Sequence, residues 1–164
     1  MKNEMQIRLA NRNDIDVLLS LTTETYQFHR NTIKGVFSDV GTMYSYEQLQ
    51  SWLENDDKLI IVAEQKDLGC VGYVIGEKKN TSKISTFLEK RILYIKDLGI
   101  TGKMRGKGFG TSLLDWIEKW ACHNYIDEIQ LSVWSENEQA IDFYLNQHFE
   151  ESRRTYIKRV SRKV

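Results

Sequence analysis

Arg105-Gly106-Lys107-Gly108-Phe109-Gly110 places three glycines in five residues, after an apolar run and before a long amphipathic segment. Glycine allows backbone conformations that other residues resist and lets a ligand approach the main chain closely. A turn of this kind at a helix start aims unbonded N–H groups and the positive end of the helix dipole at one point, which suits a phosphate or pyrophosphate. Two common phosphate-binding patterns fail on spacing. A P-loop requires Gly, four residues and then Gly-Lys-Ser/Thr, and no such run occurs, so a nucleotide-dependent phosphotransferase lacks its parts. The dinucleotide pattern G-x-G-x-x-G would put its last glycine at Thr111, counting from Gly106, or at Leu113, counting from Gly108. A third pattern, Arg/Gln-x-x-Gly-x-Gly/Ala after a strand, is satisfied by Arg105, Gly108 and Gly110. His29, His123 and His148 show no ligand spacing with one another or with Cys70 and Cys122, so no metal is expected.

The elements that must hold this turn can be read in order. Gln6 to Ala10 alternates as a short strand. Asn13 or Asp14 caps a helix to about Phe28, with Ile15, Leu18, Leu19, Thr22 and Tyr26 on one face. The long stretch Arg30 to Tyr46 carries Phe37, Tyr44 and Tyr46 and is of the kind that lines binding sites. A second helix covers about Ser45 to Glu54. Leu59 to Gln65, Cys70 to Gly76 and Ile92 to Ile100 read as three strands, the first two joined by a hairpin turn at Lys66-Asp67-Leu68-Gly69 and the last two by a polar connection. A helix follows from about Gly108 to His123, with Leu113, Leu114, Trp116, Ile117, Trp120 and Ala121 on its apolar face. Glu128 to Trp134 alternates as a strand. Ser135 and Glu138 form a capping box for a helix to about Gln147 that buries Ala140, Ile141, Tyr144 and Leu145, and a last strand covers about Phe149 to Val160.

The whole is one α/β domain, residues 5–160, without repeat, linker or proline. Its 164 residues carry 23 basic and 23 acidic side chains. A zero net charge gives no general attraction to nucleic acid or to an anionic membrane, and the basic end from Arg153 to Lys163 reads as a solvated strand and tail. The N-terminus has no apolar signal core and no run is long enough to span a bilayer. With Cys70 and Cys122 read as reduced core thiols, a cytoplasmic protein is expected.

Ile92 to Ala121, with Tyr-Ile-Lys-Asp-Leu-Gly-Ile ahead of Met-Arg-Gly-Lys-Gly-Phe-Gly, resembles motif A of the GNAT superfamily of N-acetyltransferases. Leu131-Ser132-Val133-Trp134 followed by Asn137, Ala140, Phe143, Tyr144 and Phe149 resembles its motif B, and the order of elements agrees as well. The resemblance covers residues 5 to 160. It implies a mixed central sheet of six or seven strands, splayed between the fourth and fifth, with about four helices.

It also implies acetyl-CoA as co-substrate. The main chain of Arg105, Gly106, Lys107, Gly108, Phe109, Gly110 and Thr111 would cradle the pyrophosphate, with the Arg105 and Lys107 side chains adding charge. Leu98, Gly99 and Ile100 would bond the pantetheine arm and the acetyl carbonyl, with the N–H of Leu98 or Ile100 facing the oxyanion. Asn137 would hold the cofactor arm, and Tyr144 would protonate the departing thiolate. Lys96 stands where many relatives have a Glu, which leaves Asp97 as the base, directly or through water, against a purely structural hydrogen bond. His148 stands where motif B usually has glycine. The implied reaction is acetyl transfer to a primary amine by direct attack in a ternary complex. A small-molecule amine is the first expectation for the acceptor and a protein N-terminus or lysine the second. A non-catalytic acyl-CoA-binding module is the other class, and a homodimer is among the expected assemblies.

Overall fold

Leu59-Ile60-Ile61-Val62-Ala63 is apolar at every position, the signature of a strand covered on both faces. In the computed structural model, which describes residues 5–39, 41–81 and 86–160, this run is the middle of β2 (Lys58–Gln65) and is buried throughout. Residues 1–4 of the N-terminal reading, Val40 of the long loop, residues 82–85 of the polar connection and residues 161–163 of the basic end lie outside the described residues. β1 (Met5–Leu9), β2, β3 (Gly69–Asn80) and β4 (Arg91–Ile100) form an antiparallel meander, and β5 (Glu128–Leu131) joins β4 in parallel. The sheet is open, in the order β1-β2-β3-β4-β5.

Among the described residues four α-helices cover it. α1 (Ile15–Thr32) and α2 (Tyr46–Leu53) lie on one face, where Ile15, Leu18, Leu21 and Leu49 meet Ile60, Val62, Tyr73 and Ile75. α3 (Phe109–His123) packs on the other through Leu113, Leu114 and Ile117 against Ile61, Ala63, Val74 and Leu93. Each such large aliphatic side chain, taken out of water, contributes about 1.5–3 kcal/mol. Phe143 and Tyr144 of α4 (Glu138–Asn146) add to the same cluster from its rim.

Several expectations need correction. α1 runs four residues beyond Phe28 because Ile33 is fully buried and donates its N–H to the His29 carbonyl, which draws the last turn into the core. β3 continues past Gly76 to Asn80, since β4 is long enough to pair with it there. β5 stops at Leu131, short of Trp134, where its pairing with β4 ends. The cap of α4 is Asn137 rather than Ser135: Asn137 Oδ1 accepts from Ala140 N at 3.2 Å, and the Ser135 hydroxyl is bonded to Glu136. Leu145, read as part of the buried face, is exposed, and α4 contains no buried residue. Cys122 is exposed and Cys70 is half-buried, so neither is a core thiol. The expected last strand is absent: among the described residues, 150–160 pair with no strand and are exposed throughout, so the sheet has five strands rather than six or seven.

His148 adopts φ +64, a left-handed conformation that costs a side-chain-bearing residue on the order of 1 kcal/mol. Replacing it by glycine is expected to stabilise the fold by about 1 kcal/mol, read as a higher Tm; an unchanged or lower Tm would show that the imidazole compensates for the strain.

Candidate active site

The sheet parts where the sequence places its chemistry. β4 pairs with β5 only from Ile92 to Ile95, opposite Glu128 to Leu131, and then continues alone on that side to Ile100. The Thr101 N–H bonds the Val71 carbonyl on the β3 side at 2.9 Å. By the two-residue period of a strand, Gly99 also bonds toward β3, and Leu98 and Ile100 turn their main-chain groups toward the gap. Two of these groups are engaged: Arg105 Nε donates to the Ile100 carbonyl at 3.0 Å, and the Leu98 N–H donates to the Asp97 carboxylate.

At Gly99 the strand lies directly against Thr25 of α1. A Cβ there would collide with Thr25 Oγ1 and stand 2.6 Å from the Tyr73 ring. Gly99→Ala is therefore expected to destabilise the protein by about 3 kcal/mol, measured by denaturant unfolding; a loss below about 0.5 kcal/mol would mean that α1 moves aside freely.

The glycine turn follows. Gly106 and Gly108 have φ of +74° and +87°, and Gly108 caps α3 without any side-chain bond. Ser112 is the first residue of the helix to donate backward, to the Gly108 carbonyl at 3.0 Å, so the N–H groups of Phe109, Gly110 and Thr111 have no intrahelical acceptor. The turn is tied down from two sides. Glu24 of α1 accepts the Gly102 N–H at 2.6 Å and the Thr101 hydroxyl at 3.1 Å. The Phe143 ring of α4 lies over Gly110, where a Cβ would stand only 3.0 Å from it. Arg105 is a brace, its guanidinium held over the Phe28 ring at 4.4 Å as well as on Ile100, and Lys107 Nζ lies 3.7 Å from Met104 Sδ.

Asp97 stands on the strand just before the gap. Ile95 pairs with Gly76 and Asp97 with Ile75, which leaves Lys96 as an extra residue in a β-bulge. Asp97 is 6% exposed and accepts the Tyr73 hydroxyl at 2.6 Å. Burial pushes its pKa up to about 6, against the opposing effects of the Tyr73 hydroxyl and the Leu98 N–H. Burial and then the Asp97 charge raise Tyr144 to about 12 and Tyr44 beyond the usual phenol range, so both hydroxyls keep their protons at neutral pH. The Asp97 charge thus reaches Tyr144, although the two residues are remote in sequence. Tyr144 is half-buried, between Phe143 and Phe149 at centroid distances of 5.2 and 5.5 Å. Asn137 is buried and serves as the α4 cap, the structural role its position allows.

Around this centre are residues that sequence reasoning missed. Tyr73, Thr25 and Phe28 carry no signal beyond that of core aromatics and a helical threonine. Trp52 takes Lys96 Nζ at 4.8 Å and Lys58 Nζ at 5.1 Å on its ring, with Tyr44 edge-on at 5.1 Å. Of the loop aromatics, Phe37 meets Trp134 across the gap at 6.1 Å and stacks on His29, which burial and the Arg105 charge keep below its ordinary pKa. Tyr46 remains exposed. Among the described residues no helix is long and apolar enough to cross a membrane. Asp14, Glu64 and Cys70 lie close enough to share an ion, but the Arg8 guanidinium already bridges the two carboxylates.

Comparison with known proteins bears on the family and the fold. Residues 22–149 match the family model described as acetyltransferase (GNAT) family. The chain is 26% identical to N-alpha-acetyltransferase 60 of Danio rerio over 91% of its own length and 61% of that protein's. The chain thus spans less than two thirds of this relative. Its fold is similar to that of a mutant of the BH1408 protein from Bacillus halodurans, with a TM-score of 0.89 at 20% identity over 95% and 99% of the two chains. It is also similar to AAC(6')-Iy in complex with the bisubstrate analogue CoA-S-monomethyl-acetylneamine, with a TM-score of 0.69 at 16% identity over 96% and 99%.

Proposed function

The chain belongs to the acetyltransferase (GNAT) family, and from that premise we propose that it transfers acetyl from acetyl-CoA to a primary amine of a small molecule by direct attack in a ternary complex. The observation that carries this reading is the parting of β4 from β5, with the glycine turn at its end and Asp97 and Tyr144 in a shared field beside it. The free N–H groups of Phe109, Gly110 and Thr111, with the backbone of Arg105 to Gly108, would hold the pyrophosphate of the co-substrate. The main chain of Leu98, Gly99 and Ile100 would hold the pantetheine arm. The Leu98 or Ile100 N–H, turned toward the gap, would stabilise the oxyanion. Asp97 would accept the proton of the attacking amine and Tyr144 would deliver one to the departing thiolate.

The first proton step would assist the second. A proton arriving on Asp97 removes the negative charge that helps to hold the Tyr144 proton. The phenol is therefore a stronger acid just after the amine has been deprotonated, when the leaving group needs it.

A small-molecule acceptor is supported by the neamine analogue bound to one relative. An N-terminal amine of a protein is the second reading, favoured by the name of the zebrafish relative. Calorimetric titration with acetyl-CoA and thiol release across a panel of polyamines, amino acids, aminoglycosides and N-terminal peptides test both. Binding with turnover of a small amine supports the first reading and turnover of peptides alone the second. Binding without turnover would leave an acyl-CoA-binding module, and no binding at millimolar acetyl-CoA would overturn the proposal.

A further inference from the structure

On the reading that the chain acetylates a small amine, we propose that this acceptor is acidic: its amino group meets Asp97 while a carboxylate or phosphate elsewhere on the molecule is bound by Lys96. The observation is a set of lysines laid on aromatic rings along the face of the sheet that α1 and α2 cover. Trp52 of α2 has Lys58 Nζ 5.1 Å and Lys96 Nζ 4.8 Å from its ring centroid. Lys58 stands opposite Glu77 in the ladder and donates to one of its oxygens at 2.6 Å. Lys79, two residues further along β3, lies 3.3 Å from the other Glu77 oxygen and 4.6 Å from the centroid of Tyr94 on β4. Three strands thus bring three ammonium groups to one area with a single carboxylate, which Lys58 and Lys79 share.

The surplus falls on Lys96. Among the described residues no carboxylate pairs with it, and it is exposed beside the Trp52 ring. Asp97, its neighbour in sequence, is not the missing partner: that carboxylate is buried and takes its hydrogen bonds from the Tyr73 hydroxyl and the Leu98 N–H. Like charges gathered on one face of a sheet repel, and an anion arriving at Lys96 relieves that cost through a charge-assisted bond. The same ring ties this cation to the reacting end. Tyr44 lies edge-on to Trp52 at 5.1 Å, and its hydroxyl is in the field of the Asp97 charge. Lys96 and Asp97 share a face of β4 across the bulge. An acceptor with its amine at Asp97 would have Tyr44 and Trp52 beside it and Lys96 within reach of its acid group. The amine nitrogen would bond the acetyl carbon as the carbon–sulfur bond breaks, its proton passing to Asp97 and that of Tyr144 to the thiolate, while the acid group stays unchanged. A polyamine would instead press a second ammonium against Lys96, so the arrangement selects against polycations.

The test uses the whole chain and matched series of short primary amines: ω-amino carboxylates, aminoalkyl phosphates, n-alkylamines and α,ω-diamines of the same chain lengths. Thiol release gives kcat/KM for each, corrected for the free-base fraction of the amine. At the best length an acidic amine is expected to exceed the alkylamine by about 10- to 100-fold, chiefly through KM, with the diamine below both. The larger ratio, for carboxylates or for phosphates, identifies the acid group. Lys96→Gln should bring the acidic and neutral amines within about threefold of each other, and Lys96→Glu should turn the preference toward diamines. Calorimetric titration of both variants with acetyl-CoA shows that they are folded. Equal use of acidic and neutral amines, a wild-type preference for diamines, or an acidic preference that survives Lys96→Glu overturns the inference and leaves acetyl transfer standing. If none of these amines releases thiol, the small-molecule reading fails and this inference with it.

Discussion

Replacing Tyr144 by phenylalanine is expected to lower kcat by about 10²- to 10³-fold while leaving the Kd for acetyl-CoA within about twofold, the range general acid catalysis supplies. The aromatic packing that holds the ring, between Phe143 and Phe149, survives this change, so only the hydroxyl is lost. That hydroxyl enters with its proton secured: burial first, then the Asp97 carboxylate, raises it to about 12. It is thus fully loaded at working pH and responsive to whatever happens at Asp97. Steady-state kinetics and calorimetry on the variant separate the two roles. An unchanged kcat would leave Tyr144 as a packing residue only.

Asp97→Asn is expected to weaken the enzyme and strengthen the fold. As the proposed base, with its pKa near 6, wild-type Asp97 is expected to give kcat/KM, corrected for the free-base fraction of the acceptor, a rise through pH 6 that levels above it. In Asp97→Asn the rate should drop by about 10²-fold and that limb should vanish. Tyr73→Phe removes the hydroxyl that favours the charged carboxylate, so its limb should move above 6.

The stability effect has the opposite sign. The folded pKa of about 6 exceeds the unfolded value of about 3.9, so folded protein keeps a proton that the unfolded chain has already lost. Wild-type stability is therefore unpenalised below about pH 4, falls as pH rises from about 4 to 6, and is flat beyond, as far as this group is concerned. The shift corresponds to roughly 3 kcal/mol. Asp97→Asn, which can still accept from Tyr73, should be more stable than wild type by about 1–3 kcal/mol at pH 7–8, with the difference shrinking toward pH 4. Chemical denaturation across pH decides: a pH-independent difference would mean that Asp97 titrates as an ordinary surface carboxylate.

How much of this could be read from the sequence depended on the kind of residue. The glycine turn was legible because Gly106 and Gly108 do something only glycine does cheaply, and their spacing excluded other uses. The meander and α3 were legible from periodicity. The α4 cap was misassigned because Ser135 and Asn137 offer the same chemistry two positions apart, and only geometry selects between them. Cys122 was misread for a related reason: it sits beside Ala121 in an apolar segment, but one residue of helix is about 100° of rotation, enough to turn it to solvent. The last strand failed differently. The β-branched and aromatic residues between Thr155 and Val160 report a capacity to pair, and among the described residues that segment pairs with no strand. Tyr73 and Trp52 gave no sign at all, since an aromatic that contacts a buried carboxylate or a lysine has the same letter as one that fills the core.

The extra residue at position 96 makes the site depend on counting as well as on chemistry. Lys96 and Asp97 are neighbours in sequence and yet share a face, Lys96 on Trp52 and Asp97 on Tyr73, because one step in the ladder with β3 goes uncounted. Exchanging the Lys96 side chain alters a surface contact with Trp52. Deleting the residue would close the bulge with Asp97 still opposite Ile75, so the carboxylate would keep its face while the local kink and extra twist that the bulge gives the strand were lost. Inheritance at this position should therefore be strict about length, with spelling left to follow the acceptor.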